Sequence, residues 1–179
     1  ICLEIGCGKG RFVTESAALA PDMLFLAIER DANVLVMAME RAQRMELSNV
    51  RFLNVDAAAL CDFFAEGELS RICLNFSDPW PKSKQAKRRL THRNFLRQYD
   101  TVLAQDGALF FKTDNEKLFE FSLNELSGYG FILSHITFDL HKTDFPNIVT
   151  EYEERFSAQG MRIYRVEARK RYSACSDTE

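Results

Sequence analysis

The segment Glu4-Ile5-Gly6-Cys7-Gly8-Lys9-Gly10 sets an acid and three glycines where an apolar run gives way to a helical pattern. Glycine is needed at such a turn because the backbone bends sharply and approaches a ligand with no Cβ between. Glu29 closes the next apolar run about 20 residues on, the spacing at which a carboxylate can bind both hydroxyls of a ribose. Two details separate this pattern from a dinucleotide site. Arg11 stands where that pattern wants its last glycine, and Glu4 would repel a pyrophosphate but welcome a cation. A ligand with a ribose, an amino group, a sulfonium and no phosphate fits, and S-adenosylmethionine is such a ligand. The bland alternative is a glycine-rich turn with a chance acid downstream. Asp56, just past the third apolar run, falls where an adenine would lie. It also reads as a helix N-cap, and the two roles can coexist.

A second constellation is Asn75-Phe76-Ser77-Asp78-Pro79-Trp80-Pro81-Lys82. Asp78 follows a buried apolar run, so it falls at the carboxyl end of a strand, where ligand chemistry takes place in open α/β sheets. Pro79 and Pro81 stiffen the loop, and Trp80 is the only Trp of the chain. A rigidly held acid beside an aromatic suits a nucleobase edge. The other reading is a Pro-rich turn with a packed Trp. Lys82, Lys84, Lys87, Arg88, Arg89, His92, Arg93 and Arg97 follow, and no acid occurs between Asp78 and Asp100. In a chain of net charge −3 this is a local reversal of sign. It reads either as a solvated basic helix face or as a set of phosphate contacts, and the absence of acids favours a nucleic-acid partner.

The elements that must position these residues follow from apolar periodicity. Strands are expected over Ile1 to Ile5, Met23 to Ile28, Val50 to Val55, Arg71 to Phe76, Ala108 to Lys112, Phe131 to Phe138 and Met161 to Ala168. Helices are expected over Arg11 to Ala20, from an Asp31 cap to about Met45, from Asp56 to Ala65, from Thr91 or His92 to just before Asp106-Gly107, and over Asn115 to Leu126. Thr150-Glu151-Tyr152-Glu153 reads as a capping box opening a short helix to Ala158, and Asp114 reads as an N-cap. Strands that alternate with helices and run continuously apolar imply a parallel sheet covered on both faces. The last two strands lack a long helix between them, so an antiparallel edge hairpin is expected. The fold class is therefore α/β: a doubly wound, mostly parallel seven-stranded sheet. The loops from Asp78 and from Leu140 are long, polar and on the ligand face, and are expected to be mobile.

The chain has 179 residues, 46% hydrophobic and 27% charged, the balance of one globular domain. One domain is expected over 1–170, with a polar tail over 171–179. The opening at Ile1, already inside a strand, leads to the expectation that native sequence precedes it. No run approaches the roughly 18 apolar residues of a membrane helix. The five cysteines show no Cys-x-x-Cys spacing, which argues against zinc or a disulfide framework and for small core residues in a reducing cytosol.

Together these residues resemble the bacterial tRNA (guanine-N7)-methyltransferase family, a class I S-adenosylmethionine-dependent, Rossmann-like methyltransferase. The likeness spans nearly the whole chain. Its most specific pieces are Glu4 to Gly10, Phe76 to Lys82 with the basic run to Arg89, Lys112-Thr113-Asp114, and Thr150 to Glu153. The resemblance implies methyl transfer from S-adenosylmethionine to guanine N7 in tRNA, at the variable-loop guanosine 46, leaving S-adenosylhomocysteine. It implies that Glu4, Gly6, Gly8, Gly10, Glu29, Asp56 and Asp78 bind the cofactor and that Asp78 is catalytic. Lys82, Asp114, Thr150, Glu151, Tyr152 and Glu153 would bind the substrate guanosine, and Lys84, Lys87, Arg88 and Arg89 the RNA. It implies a cytoplasmic enzyme with no metal, no membrane association and no obligate protein partner, as a monomer or homodimer. The rivals are a nicotinamide-dependent oxidoreductase, disfavoured by Glu4 and Arg11, and a non-catalytic RNA-binding module, disfavoured by the cofactor carboxylates and Asp78.

Overall fold

A computed structural model describes residues 1–171. Seven strands are present: β1 (Cys2–Ile5), β2 (Phe25–Ile28), β3 (Val50–Leu53), β4 (Leu69–Asn75), β5 (Leu103–Thr113), β6 (Ile132–Thr137) and β7 (Tyr164–Arg169). The helices are α1 (Arg11–Leu19), α2 (Ala32–Arg44), α3 (Leu60–Phe63), α4 (Arg93–Val102), α5 (Glu116–Tyr129) and α6 (Glu151–Ser157). The sheet order is β3-β2-β1-β4-β5-β7-β6. All neighbours are parallel except those of β7, which runs against both β5 and β6. The strand order reverses between β1 and β4, which opens a crevice at their carboxyl ends.

The pleat divides the core. Leu3, Ile5, Ile72, Leu74, Leu109 and Phe111 face α3, α4 and α5, where Leu60, Leu96, Tyr99, Leu118 and Phe119 complete the larger cluster. Cys2, Phe25, Ala27 and Cys73 face the other way, against Val13 and Ala17 of α1 and Leu35 and Ala38 of α2. Glu4 lies on that second face, buried at 3% exposure among apolar groups.

Local signals place most helix starts. Asp31 accepts from the Asn33 and Val34 amides, and His92 from Asn94. Thr150 and Glu153 form both halves of the capping box. Asp114 is not a cap: Asn115 closes α5 instead, accepting from the Leu118 amide at 2.9 Å. The chain between Asp56 and Ala65 is shorter in helix than expected, a 3-10 turn over Ala57–Ala59 and then the single turn of α3. The basic run is likewise no α-helix face but 3-10 turns over Ser83–Arg88.

One difference concerns the sheet. β5 begins at Leu103, five residues ahead of the expected start, and absorbs Asp106-Gly107. Its register passes from Leu69↔Leu103 to Arg71↔Ala108, so the strand bulges there. A Cβ on Gly107 would lie 2.9 Å from the Ala104 carbonyl, and glycine admits that close return of the backbone. The last two strands pair antiparallel at the sheet edge as expected, and the order within the pair, which the sequence left open, puts β7 between β5 and β6 with β6 outermost. The alternating Arg165 and Glu167 of β7 are therefore buried, paired with each other. The tail beyond Arg171, with Cys175, lies outside the described residues. Among the described residues no helix is long and apolar enough to cross a membrane.

Candidate active site

The glycine turn is held by backbone bonds. The Gly6 and Cys7 amides donate to the Ile28 carbonyl at 2.8 and 3.1 Å, so β1 and β2 stay in step as the chain leaves the sheet. Gly10 has φ +81, and a Cβ there would meet the Ala38 Cβ at 2.6 Å. This glycine lets α1 and α2 close up. The Gly8 amide donates to Glu29 Oε2 at 3.2 Å, while Glu29 Oε1 accepts from the Asp31 amide at 3.1 Å. The ribose-type acid is thus tied to the glycine loop before any ligand arrives.

Glu4 lies beneath this turn. Asn75 Nδ2 donates to its Oε1 at 2.8 Å, and its Oε2 has no partner among the described residues. Burial pushes its carboxyl up to about 8, against the opposing pull of Asn75, of the more distant Lys112 and of the Val13 amide at the start of α1. A buried carboxyl with a free oxygen and no counter-ion is the complement of a cationic ligand group.

A cavity of about 440 Å³ opens at the carboxyl ends of β1 to β4; Gly6 and Asn75, the partner of Glu4, line it, while Glu4, Gly8 and Gly10 do not. Gly6, Glu29, Asp56, Asp78, Trp80 and Arg88 are among its lining residues. Asp56 caps the 3-10 turn through the Ala58 amide at 2.8 Å and lies 3.8 Å from Arg30, so the cap and the cavity position coexist. Asp78 is exposed, with no hydrogen bond to protein among the described residues. The Oγ of adjacent Ser77 is buried and unpartnered.

The third group of expected residues meets this rim from α6. The Tyr152 ring packs on Phe76 at 5.0 Å and on Phe156 at 4.2 Å. Burial, Asp114 and, less strongly, Asp78 raise its phenol. Glu151 is exposed and paired with Arg41 at 2.8 Å. Thr150 and Glu153 face inward. Glu153 has no exposed surface, and both its oxygens are used. They accept from Lys112 Nζ at 2.5 Å, His141 Nε2 at 2.8 Å and Asn147 Nδ2 at 2.6 Å. Burial raises its carboxyl, but Lys112, Asn147 and His141 outweigh burial and hold it below the ordinary value. Glu153 therefore anchors α6 and the 143–150 loop to β5. Lys112 completes the tether with bonds to Asn147 Oδ1 and the Ile148 carbonyl.

Of the basic residues, Lys82, Lys84, Lys87 and Arg88 are exposed, and Lys87 and Arg88 stand at the cavity mouth. Arg89 is half-buried, and its guanidinium is bonded to protein carbonyls. Sequence reasoning quoted Asn75 and Lys112 only as motif members, without the partners 71 and 41 residues away that define their roles, and missed His141 and Asn147 altogether. It noticed Arg11 only as a departure from a dinucleotide motif. Arg11 and Arg41 in fact clasp α6 to α1 and α2, through Glu154 at 2.5 Å and Glu151 at 2.8 Å, with Glu15 between them.

Residues 1–166 match a family model described as a putative methyltransferase. The chain is 55% identical over 169 residues to a tRNA (guanine-N(7)-)-methyltransferase of Geobacillus thermodenitrificans, covering 94% of this chain and 78% of the relative. It is 54% identical over 170 residues to the protein of that name from Halalkalibacterium halodurans, covering 94% and 77%. The chain belongs to the tRNA (guanine-N7)-methyltransferase family. Solved structures extend the likeness of this methyltransferase at the level of fold. A SAM-dependent methyltransferase from Aquifex aeolicus superposes with a TM-score of 0.66 at 15% identity, over 93% of this chain and 80% of that one. A precorrin-6y C5,15-methyltransferase from Geobacter metallireducens gives 0.65 at 15% identity, over 95% and 79%. At that identity the shared feature is the doubly wound sheet with its crevice.

Proposed function

We propose that this methyltransferase transfers the methyl group of S-adenosylmethionine to N7 of a guanosine in tRNA, the variable-loop guanosine by family resemblance. The observation that carries the cofactor reading is Glu4, a buried carboxyl with an unpartnered oxygen beneath the glycine turn. The names of the relatives carry the substrate reading.

The residues present fit S-adenosylmethionine. Glu4 lies where it can compensate the cationic methionine end from below. Glu29 presents its carboxylate to a ribose, and Asp56 stands at the adenine end of the cavity. The cofactor supplies an electrophilic methyl group on a sulfonium. Guanine N7 already carries a lone pair, so the protein needs no base to make the nucleophile. Its task is alignment of N7 with the methyl carbon. Asp78 accepts hydrogen bonds from the guanine N1 and N2 protons and stabilises the positive charge that appears on the alkylated purine. Asp114 and Tyr152 border the same guanosine from the other side. The exposed Lys82, Lys84 and Lys87 offer cations to the RNA backbone.

The test is methyl transfer from labelled S-adenosylmethionine to unmodified tRNA, with borohydride and aniline cleavage to locate 7-methylguanosine. Strand cleavage at one guanosine is expected, and Asp78→Ala should lower turnover by about a hundredfold or more while cofactor affinity changes little. Equal losses in turnover and affinity would remove Asp78 from the chemistry. Binding of S-adenosylhomocysteine without transfer to tRNA would move the substrate elsewhere.

A further inference from the structure

Asp78 sits in a loop whose backbone is strained on both sides. Phe76 has φ +53 and Trp80 φ +41, the left-handed region that residues bearing a Cβ rarely adopt. Such conformations persist only where the surroundings over-determine them. On the Phe76 side the restraint is visible: its amide donates to the Lys112 carbonyl at 2.9 Å, and its ring rests on Tyr152. On the Trp80 side Arg88 covers the ring and Arg89 restrains the backbone. The Arg89 Nε donates to the Pro79 carbonyl at 3.0 Å and its Nη2 to the Trp80 carbonyl at 2.9 Å. The same guanidinium lies over the Phe121 ring of α5 at 4.4 Å. Two successive carbonyls are thereby fastened to a rigid fork that is itself stacked on a helix. A lysine could satisfy only one of them at a time, since it has no planar fork.

We propose that Arg89 is a positioning residue for methyl transfer and not a phosphate contact. It clamps the Pro79 and Trp80 carbonyls so that the strained loop holds Asp78 over the cavity. This rests on the reading of Asp78 given under the proposed function. The neighbouring cations differ from it in kind. Lys82, Lys84 and Lys87 are exposed, whereas Arg88 stands at the cavity mouth with its guanidinium 3.5 Å over the Trp80 ring and no hydrogen bond to the loop backbone among the described residues. Within one basic run, the sequence thus mixes side chains free to meet RNA with one committed to the protein's own backbone.

The experiment uses the full chain with Arg89→Lys, Arg89→Ala and Phe121→Leu. Trp80 is the only tryptophan, so its fluorescence reports this loop alone. Acrylamide quenching of Trp80, without ligand, should rise in all three variants. At saturating tRNA, kcat should fall by about 10- to 100-fold in both Arg89 variants, with KM little changed. The salt dependence of tRNA binding should keep the parental slope, whereas a lost phosphate contact lowers it by about 0.7–0.9. Should Arg89→Ala lose its far-ultraviolet circular dichroism, the lysine and Phe121 variants decide. A reduced salt slope with kcat and quenching unchanged would overturn the proposal, as would full parental kcat in Arg89→Lys. If the parental protein transfers no methyl group to tRNA, the functional reading fails by itself. Trp80 quenching in the variants then still decides whether Arg89 holds the loop.

Discussion

Replacing Glu4 by Gln should make the ligand-free protein more stable and the cofactor complex weaker. In the unfolded chain this carboxyl ionises at its ordinary 4.5, whereas in the fold burial keeps it protonated up to about 8. A group whose folded value is raised contributes its full stability below 4.5 and loses it as pH rises through 8. At pH 7 the fold must hold neutral an acid that the unfolded chain would ionise. At about 1.4 kcal/mol per pH unit, that costs about 3 kcal/mol, growing to about 5 kcal/mol above pH 8. Glutamine has the same shape, can still accept from Asn75 Nδ2, and has no proton to lose. Glu4→Gln should therefore match the parent at pH 4, exceed it by about 3 kcal/mol at pH 7, and raise the thermal midpoint there by about 6–12 °C. Urea titrations at pH 4, 5.5, 7 and 8 would trace the divergence. Calorimetry with S-adenosylhomocysteine should show the opposite sign. The parent should release close to one proton on binding at pH 7, seen as a heat that depends on the buffer, and Glu4→Gln should release none and bind more weakly. Identical stability of parent and variant at pH 7 and 8 would refute the reasoning, since it would mean that the folded carboxyl ionises as freely as the unfolded one.

Glu153→Gln should leave Lys112 buried without a counter-ion and cost about 3–5 kcal/mol in a denaturant titration. In the parent, Glu153 is held below 4.5, so its contribution is complete above that value and lost as pH falls below it. Acid unfolding monitored by circular dichroism should be shallower below pH 4.5 in the variant than in the parent. Gly10→Ala should destabilise by about 3 kcal/mol, because the new Cβ would meet Ala38 at 2.6 Å in a left-handed backbone. Gly8→Ala, with φ +54 and nothing within 4 Å, should cost only about 1 kcal/mol. Equal denaturation midpoints for the two would refute the assignment of Gly10 to helix packing.

The clasp on α6 explains how one short helix can carry a substrate rim. It has only seven residues, too few to be stable alone. Its capping box, the buried Glu153 tether and the Arg11 and Arg41 pairs fix it from three directions. Tyr152 is thereby presented beside Phe76 and Asp114.

Features that depend on near neighbours or on period were legible in the amino-acid order alone. Continuous apolar runs between helical stripes led to the doubly wound sheet. Glycines before a helix located the cofactor turn, and Asp31, Asp56 and Thr150 declared their caps because each bonds amides two or three residues away. Asp114 and Asn115 were indistinguishable on that basis, since either side chain can cap, and only the backbone geometry selected Asn115. Features that depend on groups far apart in the chain became visible only in the fold. The place of β7 inside the edge pair was not legible in the sequence, because it depends on Arg165 and Glu167 burying each other between β5 and β6. The raised carboxyl of Glu4 depends on the apolar packing around β1, which outweighs the hydrogen bond from Asn75 seventy-one residues away. In the same way, the resemblance implied a guanosine contact for Glu153 and an RNA contact for Arg89. Their charges are spent inside the protein because folding brought Lys112, His141 and two loop carbonyls within hydrogen-bond reach, and a charge removed from water must take such partners.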